Sequence, residues 1–343
     1  MPKCAFLKKG NTISIDGSFS PCCQFEWQHP APTDYQDFIE LRQAKDQMMQ
    51  SEDWIPECRW CKDDHEFKGE SMKDYANQFI KGNHWELYFN NTCNLACRMC
   101  YAWLSSTWEQ NIKQNPNLDW DKNYIADTTS KRSFKFDEIV FFNDLPNVQH
   151  IKLLGGEPFL MKEVKRVLDH ILSKGYSPNI DLHITTNLMQ PINEWWEKVF
   201  ESFRSTRLIG SVDGLYERYD YIRPGAKFDT AMKTVEQVKK LCHRNDKLIF
   251  NISCTGQTLN ASQHTTIRQF WKNHNIPLDI EQMYYPEFMS YRSLNPDLRK
   301  QFGIETTLQY DPMAFRKLVE QMHIQDSVHG TSFEKTCPEL FLK

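Results

Sequence analysis

From Trp85 onward, short apolar runs alternate with longer amphipathic stretches. Strand-like segments fall at 85–90, 149–154, 179–185, 207–212, 247–254 and 278–284, each bounded by polar or turn-forming residues. Helical periodicity occupies 102–114, 161–174, 192–204, 230–243 and 264–273. In the second of these, Val164, Val167, Leu168, Ile171 and Leu172 recur at a spacing that gathers them on one helix face. Such alternation predicts parallel βα units, and six repeats fit an α/β fold built as a partial (β/α)6 barrel of TIM type. Residues 116–148 are longer than an ordinary connection and carry the polar run Asp127 to Arg132, a candidate lid or partner surface. Beyond the barrel, 291–343 reads as a helical extension, with a helix from Asp311 to His323.

Residues 1–84 read as a separate unit. Asn11 to Ile15 alternates toward Asp16-Gly17, a hairpin signal, and Ser18-Phe19-Ser20 begins the return strand before Pro21-Cys22-Cys23. Antiparallel pairing would bring Cys4, at the hairpin entry, near Cys22 at its exit. A helix then starts near Thr33, whose hydroxyl is a candidate cap, with Tyr35, Phe38, Ile39 and Leu41 as its apolar face. Cys58-Arg59-Trp60-Cys61 follows, and the charged stretch from Lys62 to Phe79 reads as a connecting helix with His65, Glu66 and Glu70 in solvent.

The bulk numbers narrow the class. A chain of 343 residues with 40% hydrophobic and 13% aromatic content can build a sizeable core. A net charge of −4 offers no broad basic footprint for nucleic acid. No apolar run approaches membrane-span length, and MPKCAFLKKG lacks the apolar centre of a secretory signal. The expectation is a soluble, cytoplasmic protein with no membrane partner. Eleven cysteines in a reducing compartment favour metal or catalytic roles over disulfides. The singletons Cys23, Cys242, Cys254 and Cys337 read as small buried hydrophobes.

Cys93, Cys97 and Cys100 lie in the run NNTCNLACRMCY directly after the first barrel strand. Clustered thiolates select iron-sulfur clusters, zinc or copper(I). A closed structural zinc site wants four ligands, so three leave a metal position open to water or substrate. Packing, or zinc with a distant fourth thiol, is the alternative from spacing alone. Two further pairs, Cys4 with Cys22 and Cys58 with Cys61, supply four ligands in the N-terminal stretch, where a four-thiolate zinc site and a cluster are both open.

The C-x3-C-x2-C loop after a first strand resembles that of radical S-adenosylmethionine (SAM) enzymes. The resemblance implies that Cys93, Cys97 and Cys100 hold three irons of a 4Fe-4S cluster while SAM chelates the fourth. Reductive cleavage then yields methionine and a 5'-deoxyadenosyl radical. That family usually has an aromatic residue before the third cysteine; Met99 stands there and Tyr101 follows, both implied adenine neighbours. Cys4, Cys22, Cys58 and Cys61 are similar to the ligand set of the twitch module, a truncated relative of the SPASM domain, which binds an auxiliary 4Fe-4S cluster. Cys22 is preferred to Cys23 because four residues separate it from Gly17. In familiar members the module follows the barrel, whereas here it precedes it.

Loops at the carboxyl ends of parallel strands carry sites in such folds, and three motifs fall there. Gly155-Gly156-Glu157-Pro158 resembles the GGEP motif that holds the SAM amino group, with glycines allowing close backbone approach. Thr185-Thr186-Asn187 resembles the polar third-strand exit beside SAM, although turn closure is a nearly equal reading for each residue. Ser211 and Asp213 in SVDG, with Arg223 in RPG, resemble residues that contact the SAM ribose and carboxylate; the alternative is a turn with a surface ion pair. On the last strands Asn251, Ser253 and Asn260 are candidate SAM or substrate neighbours, and Asp279, Glu281 and Gln282 alternate without a catalytic assignment.

The resemblance implies an oxygen-sensitive enzyme acting on a peptide or small molecule, with a flavodoxin or ferredoxin as reductant and the auxiliary cluster as electron acceptor in an oxidation or cyclisation. Two alternatives stand: a single-cluster radical SAM enzyme with a zinc-binding N-terminal partner module, and a non-catalytic, zinc-stabilised binding protein.

Overall fold

A computed structural model describes residues 4–51, 54–118 and 138–341; the polar run Asp127 to Arg132 lies outside them. Eight strands are described: β1 (Gly10–Ile13), β2 (Phe19–Ser20), β3 (Asn83–Tyr88), β4 (Val148–Leu154), β5 (Asp181–Thr186), β6 (Ser205–Ser211), β7 (Leu248–Gly256) and β8 (Leu278–Gln282). Their hydrogen-bonded order is β2-β1-β3-β4-β5-β6-β7-β8. The β1/β3, β3/β4, β4/β5 and β7/β8 pairings are parallel and β1/β2 is antiparallel. All six expected barrel strands form, joined by helices at Ser106–Gln114, Lys162–Ser173, Glu194–Ser202, Phe228–Arg244 and His264–Asn273. The result is an α/β fold on a mostly parallel sheet. Two compact units divide the chain: Met1–Asn90 with Arg132–Ile184 and Trp195–Arg207, and Asn91–Lys131 with Thr185–Glu194 and Leu208–Lys343.

In the first unit the hairpin turns at Gly17, whose φ of 83° is easily reached only without a side chain. Asp16 Oδ1 accepts from Ser18 N and Oγ. The hairpin also joins the sheet: β1 runs parallel to β3 from Gly10↔His84 to Ile13↔Leu87. Strands on both sides explain why every residue of β1 is buried. The next helix, Tyr35–Ser51, is capped by Asp34, which accepts from Gln36 N and Asp37 N at 2.8 and 3.0 Å. Asp34 takes the place expected of Thr33 because a carboxylate satisfies two amides and favours the helix dipole. Its buried face is Phe38, Arg42 and Met49, while Leu41 is 42% exposed. Arg42 is drawn inward by Gly10 O and Asn11 Oδ1.

The expected connecting helix is two helices, Arg59–Lys68 and Met72–Phe79. Gly69, at φ 76°, ends the first, and a Ser71/Asp74 capping box starts the second. His65 is not simply solvated, since its Nδ1 lies 2.9 Å from Asp74.

The second unit packs Tyr221, Ile222, Leu259, Met289, Leu294, Leu318, Met322, Phe333 and Cys337 into one core. The C-terminal helix is longer than expected, Pro312–His329, with Asp311 capping Met313 N and Gly330 ending it at φ 65°. Cys254 and Cys337 are buried as expected of singletons, whereas Cys242 is half-buried and Cys23 exposed. Among the described residues no helix is long and apolar enough to cross a membrane.

Candidate cofactor and metal site

The cysteine loop is held by hydrogen bonds to its own helix and to the segment carrying Arg223. Ser106 Oγ accepts from Cys93 N, Thr107 Oγ1 donates to Cys93 O at 2.7 Å, and Trp108 Nε1 donates to Cys97 O at 2.7 Å. Ser105 caps the helix through Trp108 N and donates to Leu95 O. From the other side, Ala96 N donates to Pro224 O and Arg98 N to Ile222 O, and Cys100 N closes a turn onto Cys97 O. With its backbone groups so engaged, the loop leaves Cys93, Cys97 and Cys100 half-buried. Met99 packs against the second unit's core, and Tyr101 is half-buried beside it in sequence.

Asp213 and Arg223 form a buried pair, with Nε and Nη2 of Arg223 at 2.8 and 2.7 Å from Oδ2. Thr255 N donates to Asp213 Oδ1 at 2.7 Å. This is a buried, hydrogen-bonded ion pair, not the surface pair that was the sequence alternative. Arg223 Nη1 lies 3.7 Å from Cys97 Sγ. Burial opposes the guanidinium charge, yet the Asp213 carboxylate and Cys97 hold Arg223 above its ordinary value. Burial pushes the Cys97 thiol up to about 12, with Arg223 pulling against it, and raises Cys100 further.

The donor chemistry fits a metal cluster. Burial makes lone thiolates costly, and coordination is what deprotonates a buried thiol outright. Among the described residues no group of three or more His, Cys, Asp or Glu is arranged to hold a single metal ion; a cubane takes one thiolate per iron.

The remaining motif residues divide between the two units. In the second, Asn187 Nδ2 donates to Asn94 Oδ1 of the cysteine loop at 2.9 Å, while its Oδ1 accepts from Met189 N. Thr186 Oγ1 accepts from Leu188 N, so the turn-closing role is present too. Thr185 and Ser211 are half-buried on their strands. Asn260 is committed to loop closure: it donates to Asp213 O and Thr255 O and accepts from Gln257 N. Asn251 turns to Asp279, and Asp279 and Glu281 are exposed.

In the first unit, Gly155 has φ 112°, and a Cβ there would sit 2.9 Å from Asn90 O. Gly156 N donates to that same carbonyl, Pro158 is buried, and the buried Glu157 accepts from Phe159 N.

Cys4, Cys58 and Cys61 are buried in one cluster with Phe6, Leu7, Phe25, Met49 and Ile55, and Cys22 packs against it. Burial raises all four thiols, and the charges of Cys4 and Cys61 reinforce the rise at Cys58, to about 12. Cys61 Sγ accepts from Lys73 N at 3.3 Å. Cys23 faces elsewhere: its N donates to Glu86, and its Sγ is 4.0 Å from Lys152 Nζ. Soft thiol donors of this kind suit zinc or a cluster by ligand type, although among the described residues they are not arranged around a single ion.

Sequence reasoning missed Arg98 and Asp326. Arg98, inside the C-x3-C-x2-C motif, is fully buried; its Nε donates to Tyr221 O and its Nη2 to Asp326 Oδ1 at 2.8 Å and Thr331 Oγ1 at 2.7 Å. The guanidinium lies over the Tyr221 ring at 3.8 Å. A charged residue between two cysteines was the only local signal.

A sequence profile of the Radical SAM superfamily matches residues 87–261, just over half of the chain, and the chain belongs to that superfamily. Among solved structures it is similar to anSMEcpe with bound AdoMet, at 18% identity over 71% of this chain and 58% of that one, TM-score 0.43. It is also similar to Streptococcus suis SuiB bound to S-adenosylmethionine, at 13% identity over 92% and 61%, TM-score 0.43. For SuiB bound to the precursor peptide SuiA the values are 14%, 92% and 59%, TM-score 0.39. The chain spans about three-fifths of the length of these structures. No curated protein sequence matches it.

Proposed function

We propose that this chain is a radical SAM enzyme that modifies a peptide or small molecule, by oxidation or cyclisation, on a partial (β/α)6 barrel spanning 85–290. Residues 93, 97 and 100 hold the catalytic 4Fe-4S cluster, and Cys4, Cys22, Cys58 and Cys61 hold an auxiliary one within the 1–84 module. Bound at the first site, the cluster supplies the electron that splits SAM into methionine and a 5'-deoxyadenosyl radical.

The observation that carries this reading is Arg223, paired to Asp213 and 3.7 Å from Cys97 Sγ, within the segment the superfamily profile matches. A fixed cation beside a thiolate stabilises its ionised form. With Nε and Nη2 against Asp213, Arg223 presents Nη1 toward the cysteine loop and keeps N–H donors for a carboxylate of SAM. Asn187 braces the loop through Asn94. Gly155, Gly156, Glu157 and Pro158 are assigned to the SAM amine on their motif alone. The gathered N-terminal thiols support the auxiliary site. A flavodoxin or ferredoxin in a reducing cytoplasm serves as reductant.

Anaerobic reconstitution with iron and sulfide analysis tests the assignment. Two cubanes give about eight irons per chain and one gives about four. Four irons with bound zinc would transfer the N-terminal thiols to a zinc site, and zinc without sulfide would refute the enzyme reading.

A further inference from the structure

One face of the sheet in the first unit carries an array of charged and imidazole side chains that the proposed cofactor sites do not use. Strand register places His84 beside His150 and Glu86 beside Lys152, then His150 beside Asp181 and Lys152 beside His183. Ser205 Oγ donates to Asp181 Oδ1 at 2.8 Å. Two residues further on, alternation carries Arg207 to the same face as His183.

The acids of this face are already engaged. Glu86, fully buried, accepts from Thr12 Oγ1 at 2.9 Å and Cys23 N at 2.7 Å, with Lys152 Nζ at 3.4 Å. Asp181 takes Arg204 Nε at 2.8 Å and Nη2 at 2.6 Å as well as Ser205. No hydrogen bond or ion pair falls to the partly buried Arg207 among the described residues, and His150 Nε2 is buried without a hydrogen-bond partner. Burial, reinforced by Arg207, keeps His183 neutral, its value lowered to about 3, so the ring retains one N–H donor beside a permanent cation. Arg207 thus carries donors without a protein acceptor among the described residues, beside a face whose acids Glu86 and Asp181 are already engaged.

We infer that Arg207, with His183 beside it, is a recognition site for an oxyanion group of the substrate, a carboxylate or a phosphate. The bound group completes the charge balance of this sheet face and makes charge-assisted hydrogen bonds to the guanidinium fork. This deepens the proposed function by naming a chemical feature of its substrate, and it rests on that reading only for the word substrate.

The test is equilibrium binding to the reconstituted protein without reductant, so that its outcome is independent of SAM cleavage. The probes are a fluorescent hexaglutamate peptide, the hexaglutamine counterpart and inorganic phosphate as competitor, applied to wild type and Arg207→Met. The site predicts hexaglutamate binding that weakens about tenfold or more in Arg207→Met, as expected for loss of a hydrogen-bonded charge, with no hexaglutamine binding. Arg207-dependent phosphate binding in place of peptide binding assigns the oxyanion to a phosphate. Arg207→Met should keep a melting temperature close to wild type, because no hydrogen bond or ion pair of Arg207 is lost among the described residues. Binding equal in the two proteins, absence of binding by both anions, or a lowered melting temperature would overturn the site. Loss of SAM cleavage with Arg207-dependent binding intact would refute the enzyme reading and leave the anion site standing.

Discussion

Asp326→Asn tests how the C-terminal helix supports the cysteine loop. Oδ1 of Asp326 accepts from Arg98 Nη2 at 2.8 Å and Thr331 Oγ1 at 2.6 Å; Oδ2 accepts from Phe333 N and, at 3.5 Å, Tyr221 OH. The amide preserves volume but removes the charge facing a fully buried guanidinium, and it sets an NH2 against a donor on one side. Breaking a buried pair by removing one partner costs about 3–5 kcal/mol, a large share of the roughly 5–15 kcal/mol that holds a domain folded. Because Arg98 lies between Cys97 and Cys100, loosening it also loosens two thiols. Anaerobic urea unfolding of the reconstituted variant, with iron per chain measured in parallel, is expected to show a lowered midpoint and less iron per chain than wild type. The double variant Arg98→Met with Asp326→Leu replaces the pair by apolar groups and should regain much of the stability. A wild-type midpoint in Asp326→Asn, or a destabilised variant that retains its full iron complement, would refute this coupling.

Two further outcomes are expected. Gly155→Ala forces a side chain into φ 112° with its Cβ 2.9 Å from Asn90 O, a strain of about 1–3 kcal/mol; differential scanning calorimetry should show a lowered melting temperature and equilibrium dialysis a weakened affinity for SAM. Burial holds the folded-state values of His150 and His183 down at about 4 and about 3. The unfolded chain therefore binds those protons first, and stability is complete above the ordinary imidazole value near ~6.5 and falls below it by up to about 1.4 kcal/mol per pH unit per histidine. Gln at both positions should flatten that acid limb in urea titrations, and an unchanged slope would count against it.

The barrel strands were legible because each is a short apolar or alternating run between turn residues, and the structure moves their ends by only a few positions. Local chemistry misled in small ways: Asp34 outcompetes Thr33 as a cap, and Gly69 splits one helix into two. Contacts distant in sequence were not legible. Nothing near Gly10 announces that β1 lies beside β3, which begins at Asn83, and nothing near Arg98 names Asp326. Alternation did contain the signal for the polar sheet face, as His84-x-Glu86, His150-x-Lys152, Asp181-x-His183 and Ser205-x-Arg207, but the polar partners became meaningful only once register joined them. The cysteine spacing pointed to soft-metal chemistry, and the SVDG and RPG motifs singled out Asp213 and Arg223, but not that the two are paired with each other in the interior.

The most direct measurement is 5'-deoxyadenosine formation by the anaerobically reconstituted protein given SAM and dithionite, compared with Cys97→Ala. The proposed function predicts 5'-deoxyadenosine from wild type and none above background from the variant. Equal formation by both proteins, or none from a wild type with its iron and sulfide in place, would contradict it.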